Sequence, residues 1–259
     1  MIKSDYLKLC RLCTDHFLEL ERKFFTFCEL VYVFDNWEAK KTISTMELAN
    51  LLSSICASTE ESAKLLLVNP RNNLVDKFLE HLETKNSWGR QKDQIKQELL
   101  AENLGNIRFV WILDFLNFRS KLNEYSRAVH FQRSPFGLVF SDNFGDGKPG
   151  WFTIYEDIKH NFYSKYKTAQ IDIVFDALAA NYLLSRILAH ETATMANPKW
   201  QGGYLPWYEM QVSTGSPTML GVPTNYLPNF KSNYFEGIWL QKTDPHASKP
   251  PTGEHTNSP

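Results

Sequence analysis

The chain has 259 residues, 28 of them Lys or Arg and 29 Asp or Glu, so no global positive field exists to drive non-specific attachment to nucleic acid or to an anionic membrane. Any such contact must be local. No apolar run approaches the ~18 residues of a membrane span, and the start, Met1-Ile2-Lys3-Ser4-Asp5-Tyr6-Leu7, lacks the uncharged stretch of a signal peptide, so the cytosol is the expected compartment and no membrane partner is expected.

Proline and glycine divide the chain. Before residue 134 there is a single proline, Pro70, whereas nine of the twelve lie from Pro198 onward, and the first hundred residues hold one glycine, Gly89. The first half therefore reads as long helices. A first helix is expected from after Ser4 toward Phe34. A second is expected from Ser44, where Ser44-Thr45-Met46-Glu47 has the form of a capping box, with the hydroxyl accepting from the Glu47 N–H and the carboxylate reaching back. It runs through Leu66, with Ser58-Thr59-Glu60-Glu61 either a fresh cap or a solvated stretch, and Asn69-Pro70 ends it. Shorter helices are expected over Leu74–Glu83, Gln91–Glu102 and Ile107–Ser126, the last burying Val110, Leu113, Phe115 and Leu122. After a turn-rich loop ending at Gly150, two more helices cover Trp151–Lys165 and Ala169–Thr194, the second with Ile173, Leu178, Leu183, Leu184 and Leu188 on or near one apolar side.

Four cysteines, at 10, 13, 28 and 56, are too few and too clustered for a disulfide framework. Cys10-x-x-Cys13-x-x-His16 has ligand-like spacing, but no second pair completes a tetrahedral zinc site, so no metal and no cofactor are expected. Leu9, Cys13, Phe17, Leu20, Phe24, Phe27, Val31 and Phe34 recur at helical steps, which makes Cys13 one knob on a buried stripe.

After Pro198 the composition changes to Trp200, Tyr204, Trp207, Tyr208, Tyr226, Phe230, Tyr234, Phe235 and Trp239 among prolines and glycines. Such a segment has too much aromatic surface to stay solvated and too many breakers to be a helix. The expected organisation is a helical domain over 1–197, an extended aromatic segment over 198–242 packed on the bundle or on a partner protein, and a polar, disordered tail over 243–259. The expected fold class is all-α.

The stretch Pro149-Gly150-Trp151-Phe152-Thr153-Ile154-Tyr155-Glu156-Asp157-Ile158-Lys159-His160, followed by Phe175-Asp176-Ala177-Leu178-Ala179-Ala180-Asn181-Tyr182, resembles a pattern in uncharacterised bacterial helical proteins of the HEPN superfamily. There two aromatics precede a Tyr, then a hydrophobic-Lys-His, then an alanine-rich helix. Thr42-Ile43-Ser44-Thr45-Met46-Glu47-Leu48 and Glu61-x-x-Lys64 resemble that group's second helix, and the likeness spans roughly residues 15–195. The resemblance implies a helical bundle that commonly forms a homodimer, and an RNA-directed, metal-independent activity, binding or ribonuclease, of the kind found in toxins, CRISPR effectors and phage defence. The superfamily's catalytic signature is an Arg, four to six residues, then a His. Here Arg127 and His130 have two residues between them and Arg186 and His190 have three, so neither pair carries that motif.

The residues themselves support a chemical reading. On a helix Trp151, Tyr155 and Lys159 share one face, while Glu156 and His160 lie one turn apart, where a carboxylate can accept an imidazole N–H and favour its charged form. In RNA cleavage the ribose 2′-OH attacks the adjacent phosphate, a His moves protons, and Lys or Arg stabilises the phosphorane charge. His160, Lys159 and Arg127 are the catalytic candidates; Tyr155, Arg186, His190, His130 and Arg119 are the substrate-binding candidates. Arg119, Lys121, Arg127 and Arg133 face only Glu124 in their stretch, and with Lys159, His160, Lys165 and Lys167 they would make one basic face. The alternative is a non-catalytic dimerising or partner-binding module in which Lys159-His160 is structural and residues 198–242 form the contact surface.

Overall fold

The computed structural model describes residues 3–33, 36–70, 74–84, 93, 97, 107–116 and 150–196. Within these the protein is all-α: α1 (Lys3–Leu30), α2 (Trp37–Lys40), α3 (Met46–Leu67), α4 (Leu74–Thr84), α5 (Phe109–Leu116), α6 (Gly150–His160), α7 (Phe162–Lys165), a 3-10 turn (Tyr166–Thr168) and α8 (Ile171–Ala196). The expected helix over 91–102, apart from residues 93 and 97, the whole of 117–149, and the segments 198–242 and 243–259 lie outside the described residues.

Three long helices make the core. α1 runs antiparallel to α8: Phe24 stacks on Phe175 with centroids 5.7 Å apart, and further along Phe17 meets Tyr182 at 5.6 Å. α3 runs parallel to α8, since both start beside the isolated bridge between Ser44 and Gln170, and the Asn181 side chain donates to the Ile55 carbonyl at 3.4 Å. α8 is buried on every side from Val174 to Leu184, not along one stripe as its sequence suggested, because α1, α3 and α6 all pack against it. The small side chains Ala177, Ala179 and Ala180 allow that close approach.

A second aromatic cluster joins α4, α5 and α6. Phe78 meets Phe115 at 5.4 Å, and Phe109 meets Phe152 at 4.9 Å and Trp151 at 6.2 Å. Val110, Leu113 and Phe115 are half-buried against the core; Leu122 lies outside the described residues.

The helix ends differ from expectation for local reasons. α1 stops at Leu30 rather than Phe34, because Tyr32 adopts a left-handed backbone (φ 52°) and the Lys40 ammonium donates to the Val31 and Tyr32 carbonyls, both at 2.9 Å. Leu9, expected in the α1 stripe, is 40% exposed, while Phe17, Leu20, Phe24 and Phe27 are buried. α2, which the sequence reading did not anticipate, is capped by Asn36, whose Oδ1 accepts from the Ala39 N–H.

The cap of α3 is Thr45, not Ser44: the Thr45 hydroxyl accepts from the Leu48 N–H at 3.1 Å, while Ser44 is taken up by the bridge to Gln170. Thr45→Ala is therefore expected to lower stability by about 1 kcal/mol, with Ser44→Ala costing less, in paired urea denaturation curves. Equal losses from the two would return the cap to Ser44. α3 then continues without a second cap, as the Thr59 hydroxyl bonds the Ile55 carbonyl at 2.7 Å within the same helix. At the start of α8, the N–H groups of Ile171 and Asp172 donate to the Ile43 and Lys41 carbonyls, so the segment after α2 satisfies donors that a helix start leaves open.

Candidate functional site

α6 is held by three buried side chains, Trp151, Phe152 and Ile158, which set its outer face toward solvent. On that face the structure separates what the spacing had grouped. Trp151 is only 2% exposed and belongs to the core, Tyr155 is half-buried, and Lys159 and His160 are exposed in the last turn. A cation there also complements the negative end of the helix dipole. The Lys159 ammonium lies 5.9 Å from the centre of the Tyr155 ring, in cation–π range.

Beneath this pair lies α3. Burial pushes the Tyr155 phenol up from its ordinary pKa, and the Cys56 thiol and the Glu60 and Glu156 carboxylates push it further. Glu60 in turn holds Lys64, whose side chain is only 4% exposed, at 2.8 Å, with Glu61 at 3.6 Å. Lys64 is thus a buried cation neutralised from its own helix, and it pins Glu60 beside Tyr155. The spacing Glu60-x-x-x-Lys64 was the available signal for this pair. Cys56 is fully buried and its thiol is pushed well up by desolvation, so it is not a nucleophile.

Beyond His160 the expected helix breaks. Asn161 leaves helical geometry (φ −142°, ψ 54°), and the chain restarts as α7 and the 3-10 turn. Sequence alone made this one helix to Lys165; the break turns the chain and brings Lys165 and Lys167 to solvent, both exposed. From Ile158 to Ile171 the chain has Lys159, His160, Lys165 and Lys167 and no Asp or Glu. Tyr163, a residue that the sequence reading passed over, projects from the same stretch at 87% exposure.

The remaining candidates fall outside what the structure describes. Arg127, His130 and Arg119, with Lys121 and Arg133, lie outside the described residues. Arg186 and His190 lie on α8, and their side chains are outside the described part. Cys10 is buried, Cys13 half-buried and His16 exposed, so the three point into different surroundings, and among the described residues no group of three His, Cys, Asp or Glu side chains forms a metal site. Among the described helices none is long and apolar enough to cross a membrane.

Comparison of the chain with protein-family models, with curated proteins and with solved structures finds no match.

Proposed function

We propose that the chain is an RNA-directed protein of HEPN-like type that grips the phosphate backbone with the exposed surface from Lys159 to Lys167 and uses His160 as an acid or base in metal-independent cleavage. One observation carries this reading: Lys159, His160, Lys165 and Lys167 all reach solvent with no carboxylate from Ile158 to Ile171, Glu156 and Asp157 preceding them on α6, on a chain whose total charge is −1. A local cationic strip on a neutral protein is the footprint of polyanion binding. An exposed His160 can reach a 2′-OH or a leaving oxygen, and neighbouring ammonium groups stabilise a phosphorane.

Fluorescence anisotropy with labelled RNA across a salt series tests the binding. Affinity should fall with salt, and Lys165→Glu/Lys167→Glu should weaken it about tenfold or more and flatten the slope of log K against log salt by about 1.4, two phosphate contacts at ~0.7 each. His160→Ala should abolish cleavage with the melting temperature nearly unchanged, since its side chain is exposed. RNA left intact at several pH values, with no salt-dependent binding, would remove the reading. It would leave the homodimerising or partner-binding module, which the 40% and 55% exposure of Leu9 and Leu12 on one end of α1 favours.

A further inference from the structure

We propose that Tyr163 is a base-stacking platform, so that the ligand of this surface is RNA with unpaired nucleotides; this rests on the RNA reading above. A lone exposed apolar side chain is ordinary. Tyr163 differs in degree and in setting. At 87% it is the most exposed of the large hydrophobic side chains among the described residues, ahead of Leu30 at 73% and Tyr32 at 67%. It also lies within the cationic strip, three residues after His160 and two before Lys165.

The ring has a firm footing. Phe162, half-buried against the core, meets Tyr163 at 5.8 Å and 89°, and Tyr166 stacks on Phe162 at 6.5 Å and 27°. The two inner rings anchor α7, while the outer one stands in water with its aromatic face open. A four-residue helix with one ring outward and lysines on both sides places a π-surface between phosphate-binding charges. That is the combination by which proteins hold single strands, where each base offers a face to stack and each phosphate a charge to neutralise. A duplex keeps its bases stacked on one another and offers such a ring only its ends.

The test compares binding of a labelled 12-nucleotide single-stranded RNA with a hairpin whose stem pairs the same bases, using the wild-type chain, Tyr163→Ala, Tyr163→Leu and Tyr163→Phe. The wild type should prefer the single strand. Alanine and leucine should each lower single-strand affinity about tenfold, within the range for one lost base–aromatic stack, and phenylalanine should retain it. Because no charge is removed, the salt slope should not move in any Tyr163 variant. Leucine binding like wild type would show that the site needs apolar bulk rather than a π-face. Equal binding of strand and hairpin with a silent alanine variant would overturn the stacking role while salt-dependent binding still stood. Absence of all salt-dependent binding would overturn both proposals.

Discussion

Replacing Phe24 by Ala is expected to lower the unfolding free energy by about 3–5 kcal/mol. Phe24 is fully buried where α1 crosses α8, stacked on Phe175 and edge-on to Phe25 at 5.2 Å, and Phe175 also takes Trp37 at 5.9 Å from α2. Removing the ring takes out both transfer energy and packing, because three rigid rings from three elements cannot close around the void. Domains are stable by only about 5–15 kcal/mol, so the variant should be partly unfolded at moderate temperature. Urea denaturation checks this, with Leu12→Ala, 55% exposed on the same helix, as the comparison expected to stay within about 0.5 kcal/mol. A loss below about 1 kcal/mol for Phe24→Ala would mean that α1 does not pack on α8 in this register.

Asp176→Asn is expected to act in the opposite sense, raising stability at neutral pH by about 2 kcal/mol. Asp176 sits on α8, 2% exposed, with Oδ1 buried and unpartnered. Burial pushes its carboxyl well above the ordinary value, and Asp172 one turn earlier adds to the shift. The fold therefore prefers the protonated form. Above the unfolded-state value near 3.8, the native state holds the proton more tightly than the unfolded chain, so stability falls as pH rises toward the raised folded pKa. Asp172 is also raised by burial, less so because the Ile173 N–H and Lys41 draw it back, and it contributes in the same direction. The advantage of the Asn variant should thus grow as pH rises from about 4 toward the raised folded value. Denaturation midpoints at pH 5, 6, 7 and 8 measure it, and a variant whose advantage is constant or negative across that range would show that the carboxylate is stabilised by a partner.

Helix existence was legible because it follows from periodicity, as in the Leu48–Leu67 and Leu74–Leu82 stretches. What periodicity does not contain is how helices end and what covers them. The termination of α1 depends on Lys40, ten residues beyond Leu30, and the shift of the α3 cap to Thr45 depends on Gln170, more than a hundred residues away. Neither partner is visible in a local window. The polar interior was missed for the same reason: Asp176, Asn181 and Ser185 read as ordinary helix residues until α8 is known to be covered on all sides. In the candidate site, the exposure of Lys159 and His160 agrees with an amphipathic reading of α6. Trp151 was grouped with them because fourfold spacing lies on one face, yet across a full two turns that face rotates from core to solvent. The break at Asn161 follows no strong breaker, so Tyr163 could not be distinguished from a helix residue.

The parallel pairing of α3 with α8 has a consequence for biosynthesis. α1 and α3 leave the ribosome early, but the helix that packs against both is the last of the described elements: about 120 residues separate Leu67 from Leu188, roughly 6–24 s of translation. Throughout that interval Phe17, Phe24, Leu52 and Ile55 have no α8 to cover them. The nascent chain thus carries a sticky apolar trough that invites chaperone attachment, and the time to native structure is set by translation and by closing this long-range pairing rather than by helix formation.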